Sequence, residues 1–106
     1  MHDCIFCKIV NGEIPSDIVY SDDDSVVFKD LNPKDKTHLL VVSKKHIPSL
    51  DDLSPDDAGL IEKLVTVARN VAKERSLKGY KLQINVGKDG GQEIFHLHIH
   101  LISKFS

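Results

Sequence analysis

Two features of the sequence predict an α+β fold built on an antiparallel sheet. Leu60, Ile61, Leu64, Val65, Ala68, Val71 and Ala72 recur at three- and four-residue spacing, the core-facing stripe of one long helix. The rest of the chain holds about five short runs of apolar and β-branched residues, joined mostly by short turns. One long helix against strands connected in that way is an α+β arrangement.

Taken in order, Ile5 to Val10 is apolar and long enough for a short N-terminal helix ending at Asn11-Gly12. Ile18-Val19-Tyr20 reads as a strand, Ser21 to Asp24 as a turn, and Val26-Val27-Phe28 as the strand that closes the hairpin. Asp30 to Lys36 is a loop punctuated by Asn32-Pro33, and His38-Leu39-Leu40-Val41-Val42 is a strand apolar enough to be buried on both faces. Ser54-Pro55-Asp56-Asp57 predicts the start of the long helix, with a capping serine, a first-turn proline and acids at the positive dipole end. Lys78-Gly79 is the expected exit, since glycine can take a left-handed conformation. Tyr80 to Val86 is a further strand and Gly87 to Gln92 a loop.

The final strand carries the chemistry. It reads His96-Leu97-His98-Ile99-His100-Leu101-Ile102. With a period of 2, one face would hold His96, His98 and His100 and the other Leu97, Ile99 and Leu101. The aliphatic face can enter a core and fix the backbone. The imidazole face is costly to half-bury unless each nitrogen finds a partner, so it marks a functional site.

Composition narrows the possibilities. A chain of 106 residues with 41% hydrophobic content is one domain, spanning 1–106, with a substantial core. The net charge is −2 and no basic block with interleaved aromatics is present, which argues against nucleic-acid binding. No apolar run reaches membrane-spanning length, and the start His2-Asp3-Cys4 lacks a signal-peptide core, so a cytoplasmic protein without membrane association is expected. In a reducing compartment, Cys4-Ile5-Phe6-Cys7 calls for a metal or redox explanation rather than a disulfide.

Three chemistries suit the histidine row: an open metal site, nucleophilic attack by an imidazole, or redox work at the cysteines with the histidines secondary. Gly87, Gly90 and Gly91 can take positive φ, so their N–H groups could surround an anion, with Gln92 as a further neutral donor. A glycine loop feeding straight into the histidine strand suggests a phosphate held beside an imidazole.

The run Gly90-Gly91-Gln92-Glu93-Ile94-Phe95-His96-Leu97-His98-Ile99-His100-Leu101 closely resembles the signature of the histidine triad family. Cys4-Ile5-Phe6-Cys7-Lys8-Ile9, Glu13-Ile14-Pro15, Asp30-Leu31-Asn32-Pro33, Thr37-His38-Leu39-Leu40-Val41 and Lys44-Lys45-His46-Ile47 extend the resemblance through nearly the whole chain, toward the Hint branch. The resemblance implies homodimers of the histidine triad fold that hydrolyse purine nucleoside phosphoramidates, or related nucleoside 5′-phosphates, through a nucleotidylated histidine. It makes His98 the nucleophile, with His100, His38 and His96 completing the catalytic set. Ile5, Phe6, Ile9, Phe28, Leu31 and Ile94 would line the slot for an AMP- or GMP-type nucleotide, Asp30 would bond the ribose, and Asn85, Gly91, Gln92, His98 and His100 would hold the phosphate end. A zinc-binding subset of the superfamily implies a structural zinc on Cys4, Cys7, His46 and His96. Two departures from the Hint pattern are Glu93, where many members carry serine, and a chain that stops at Ser106 soon after the triad strand. Dinucleoside polyphosphate hydrolysis and a nucleotide- or zinc-binding regulatory module are the alternative functions.

Overall fold

The computed structural model describes residues 4–105; His2, Asp3 and Ser106, named above, lie outside them. The elements are α1 (Ile5–Val10), β1 (Ile18–Ser21), β2 (Ser25–Lys29), β3 (Thr37–Ser43), α2 (Leu60–Glu74), β4 (Lys81–Gln83) and β5 (His98–Ser103). Short 3₁₀ turns lie at Leu50–Asp52, Pro55–Asp57 and Lys88–Gly90. The five strands form one sheet in the order β1-β2-β3-β5-β4, and every neighbouring pair is antiparallel.

Strand periodicity divides the sheet into two apolar faces. Val27, Leu39, Val41, Ile99 and Leu101 point to one side, where they meet Leu64, Val67, Ala68, Val71 and Ala72 of α2. Each of the valine, leucine and isoleucine side chains among them, once removed from water, stabilises the fold by about 1.5–3 kcal/mol. Val26, Phe28, Leu40 and Val42 point to the other side and pack on Phe6 and Ile9 of α1. β3 is buried along its whole length because it lies between both layers.

The second face carries the polar chemistry. Partnered residues of antiparallel strands share a face. The register pairs Val42 with His98, Leu40 with His100 and His38 with Ile102. It also pairs Gln83 with His100 on the other side of β5. One sheet surface therefore carries Val26, Phe28, His38, Leu40, Val42, His98, His100 and Gln83, covered at one end by α1.

Four boundaries differ from the sequence expectation by more than one residue. Ser54–Asp57 is a capping box, but it caps an isolated 3₁₀ turn; α2 begins at Leu60, after Gly59 takes a φ of 86°. At the far end α2 stops at Glu74, and Ser76, with φ 59°, supplies the left-handed residue that Gly79 was expected to supply. β4 covers Lys81–Gln83 only, because the chain leaves the sheet at Ile84 and Asn85 Nδ2 donates to the Gly90 carbonyl at 2.8 Å. β5 begins at His98, so His96 and Leu97 precede the strand. There the Leu97 N–H bonds to the Ile47 carbonyl at 2.7 Å and the His96 N–H to the Ile94 carbonyl at 2.9 Å. That detour breaks the alternation and separates His96 from the other two triad residues.

Candidate active site

A cavity of about 440 Å³ opens over the second face of the sheet. Ile5, Phe6 and Ile9 from α1, Ile14, Phe28 and Leu31 form its apolar lining, and Asn85, Gly91, Gln92, Glu93, His98 and His100 contribute polar groups. Asp30 and Ile94 also line it, so each residue singled out for the nucleotide slot borders the same space. The volume and the mixed lining fit a small-molecule site. Pro15, Ser16, Lys29, Asn32, Lys34 and Gln83 border it as well. The sequence assigns none of these six a binding role, although Gln83 sits opposite His100 in the β4–β5 register.

The hydrogen bonds settle which nitrogen of each imidazole carries a proton. His98 Nδ1 lies 2.6 Å from the His96 carbonyl oxygen. A carbonyl only accepts, so Nδ1 is the protonated nitrogen and Nε2 keeps its lone pair. The backbone N–H of Lys34 donates to His38 Nδ1 at 3.0 Å, which places the His38 proton on Nε2. His38 Nε2 is 2.9 Å from His100 Nδ1 and 3.3 Å from an Asp30 carboxylate oxygen. His38 therefore donates to His100 Nδ1, and His100 carries its own proton on Nε2, the nitrogen left for the cavity that His100 lines. One imidazole offers a lone pair and its neighbour offers a proton. Their ring centroids are 5.0 Å apart.

The electrostatics hold these rings neutral. Burial pushes His98 below its usual value of 6.5, against the raising effect of the His96 carbonyl and Asp30. Burial likewise lowers His38 although Asp30 faces it. His100 is pushed down to about 4 by burial first, then by His98 and His38. Three clustered imidazoles with that little water cannot share more than one added charge cheaply.

The glycine loop does not cradle an anion with its backbone. Gly87 and Gly91 take φ of 71° and 83°, whereas Gly90 does not need positive φ. The N–H groups of Gly90, Gly91 and Gln92 bond back to carbonyls of Gly87 and Lys88, and the Gly87 N–H donates to Gln92 Oε1. Gln92 Nε2 donates to the Pro48 and Ile94 carbonyls at 2.7 and 3.0 Å. Both amide hydrogens are thus committed, and Gln92 shapes the cavity rather than donating into it. A β-carbon at Gly91 would stand 3.3 Å from Asn85 Nδ2, so glycine there keeps Asn85 in place.

His96 does not line the cavity. It is fully buried, with Nε2–H donating to the Ser43 carbonyl at 2.6 Å and Nδ1 turned toward the cysteines. Nδ1 lies 3.3 Å from Cys4 Sγ, 3.4 Å from Cys7 Sγ and 3.2 Å from His46 Nδ1, and Cys7 Sγ is 3.0 Å from His46 Nδ1. These four atoms all lie within 4.8 Å of one another. Bonds of about 2.0–2.3 Å to a tetrahedral zinc imply ligand separations of about 3.3–3.8 Å; the contacts of 3.0–3.4 Å lie at or just below that range, and the donor set suits that ion. Burial, with Cys4 alongside, pushes the Cys7 thiol up to about 11, so a Cys7 thiolate here would need a cation beside it. Asp30, His38 and His100 also converge, but the His38 proton already joins them.

A family model described as the scavenger mRNA decapping enzyme C-terminal binding region matches residues 3–106. Protein HitA of Neisseria gonorrhoeae is 47% identical over 103 residues, covering 96% of each chain. The solved structure of a histidine triad protein from Clostridium difficile superposes with a TM-score of 0.92 at 46% identity, over 96% of this chain and 90% of that one.

This chain belongs to the histidine triad family.

Within the family, the purine nucleoside phosphoramidase of Escherichia coli K12 is 40% identical over 100 residues, 92% of this chain and 84% of that protein. A zinc-bound histidine triad protein from Mycobacterium smegmatis matches with a TM-score of 0.85 at 30% identity, over 96% of this chain and 75% of that one. The arrangement of β5 against α1 and β3 is therefore that of a histidine triad fold. Among the described residues, no helix is long and apolar enough to cross a membrane.

Proposed function

We propose that this histidine triad protein is a nucleotidyl hydrolase that cleaves purine nucleoside phosphoramidates, or related nucleoside 5′-phosphate derivatives, through His98. The observation that carries this reading is the 2.6 Å bond from His98 Nδ1 to the His96 carbonyl, which leaves Nε2 as a lone pair in a cavity lined by His100. The phosphoramidase from Escherichia coli, 40% identical, supports the substrate class.

In the first step His98 Nε2 attacks phosphorus and the P–N bond breaks, its electron pair going to the leaving amine. That nitrogen needs a proton. A bound phosphate places negative charge beside His100 and draws its affinity for a proton back up, so the His38–His100 pair takes one proton from solvent as substrate binds. His100 hands that proton to the amine. In the second step water attacks the nucleotidylated His98, its proton returns to the His38–His100 pair, and His98 leaves with its lone pair restored. Asp30, within 3.3 Å of His38, balances the transient charge. The apolar lining from α1, Phe28 and Leu31 takes the purine, Asp30 faces the ribose, and Asn85 and His100 bond the phosphate.

Zinc is the cation we assign to Cys4, Cys7, His46 and His96. Cys4, Cys7, His46 and His96 would together hold a zinc ion with protein ligands alone, and the ion would then supply structural cross-linking rather than a position for substrate. The zinc-bound relative from Mycobacterium smegmatis supports the assignment. We also assign a homodimer. β4 is an edge strand with Leu82 exposed, Tyr80 beside it is exposed, and Val65 lies on the outer side of α2. A cytoplasmic protein that binds neither membrane nor nucleic acid is consistent with the composition.

Turnover of an adenosine 5′-phosphoramidate by wild type and by His98→Ala tests the reading. Wild type should release AMP and free amine, and the variant should lose the activity while still binding AMP. Equal rates in the two proteins would reject His98 as nucleophile, and no turnover in either would leave a nucleotide-binding module.

A further inference from the structure

Three stretches of chain that line or brace the cavity are each anchored in the Cys4, Cys7, His46, His96 cluster. The first is α1, which carries Cys4 at its N-cap and Cys7 on its first turns. The same helix presents Ile5, Phe6 and Ile9 to the cavity, and the Phe6 ring stands edge-on to His98 with centroids 5.1 Å apart. The second follows β3 and brings in His46. Next along it, the Ile47 carbonyl accepts the Leu97 N–H and the Pro48 carbonyl accepts Gln92 Nε2–H, both at 2.7 Å. The third leads into β5 and brings in His96, whose ring faces the cysteines while its carbonyl holds His98 Nδ1.

None of the four cluster residues lines the cavity. A cation among them would touch no nucleotide, yet it would tie together the apolar wall, the Gln92 brace and the clamp on His98. The tie matters because α1 is six residues long, and a helix of that length does not hold its place by its own hydrogen bonds.

We infer that cation occupancy of this cluster and nucleotide binding in the cavity are thermodynamically coupled, with His46 and His96 acting as positioning residues for Gln92 and His98. The inference rests on the zinc and nucleotide assignments above. Coupling between two sites is reciprocal: whatever factor the cation adds to nucleotide affinity, the nucleotide must add to cation affinity.

The test uses AMP and zinc as probes on the full chain. AMP affinity is measured by calorimetry on zinc-loaded and on chelator-stripped protein, and zinc affinity by chelator competition with and without saturating AMP. Stripping should weaken AMP binding about ten-fold, and AMP should tighten zinc by the same factor. A third measurement avoids the stripped protein, whose fold could be impaired. With cobalt(II) in place of zinc, saturating AMP should shift the visible d–d bands although AMP touches none of the ligands. Equal AMP affinities with zinc affinity indifferent to AMP, or unmoved cobalt bands at AMP saturation, would overturn the coupling alone. A protein that takes up no zinc, or binds no AMP when loaded, would overturn it together with the assignment on which it rests.

Discussion

Acid should unfold this protein in part through His100. Its pKa falls from 6.5 to about 4 in the fold, with burial the first cause and His98 and His38 the next; Lys34 also lowers it and Asp30 opposes. Between these values the unfolded chain binds the proton and the folded one does not, so stability rises with pH across that window. The contribution is fully present above pH 6.5 and is lost as pH falls toward about 4. At 1.36 kcal/mol per pKa unit the full shift is worth about 3.4 kcal/mol, and solvent screening of a half-buried ring reduces that to about 1.5 kcal/mol. The assay is urea denaturation of wild type and His100→Gln at several pH values from 7.5 to about 4, both under chelator so that metal release cancels in the difference. Wild type should lose about 1.5 kcal/mol more than the variant over the window. Parallel curves for the two proteins would refute the argument that burial keeps His100 neutral.

Asp30→Asn removes the charge that raises both His38 and His100, so the His100 titration followed by NMR should move further down, and AMP binding should weaken about ten-fold as one charge-assisted hydrogen bond is lost. Leu64 is fully buried between α2 and the sheet, so Leu64→Ala should cost about 2–5 kcal/mol in denaturant unfolding. Light scattering of the intact protein should give twice the mass of the 11.9 kDa chain, and a single-chain mass would contradict the assigned dimer.

The parts of the fold legible in the sequence are those governed by local periodicity. The α2 stripe, the buried β3 run and the aliphatic side of β5 each announce the face they turn to the core, and the structure sets Leu64, Val41 and Ile99 together there; Val65, read as part of the stripe, is the exception and lies exposed on the outer side of α2. The histidine triad signature marks the site for the same reason, since its residues are contiguous. What the sequence hides are choices made by distant contacts. Period 2 puts His96 beside His98, but bonds from the chain at Ser43 and Ile47 pull that residue off the strand and turn its ring to Cys4 and Cys7. Gln92 reads as a free donor until its amide is seen held by Pro48, 44 residues away in sequence. A capping box at Ser54 reads as the start of α2, yet Gly59 in a left-handed conformation interrupts the chain before the helix begins. The protonation pattern of His38 and His100 was equally out of reach, because it follows from the backbone N–H of Lys34 rather than from any spacing among the histidines.

The central claim is that His98 Nε2 forms a covalent bond to phosphorus, and rapid-quench intact mass spectrometry tests it most directly. Protein mixed with excess adenosine 5′-phosphoramidate and quenched within the first turnover should carry one added adenosine monophosphate, mapped by peptide sequencing to His98. Substitution His98→Gly should abolish the adduct. An adduct that persists in His98→Gly, or burst-phase turnover without any adduct in wild type, would contradict the account.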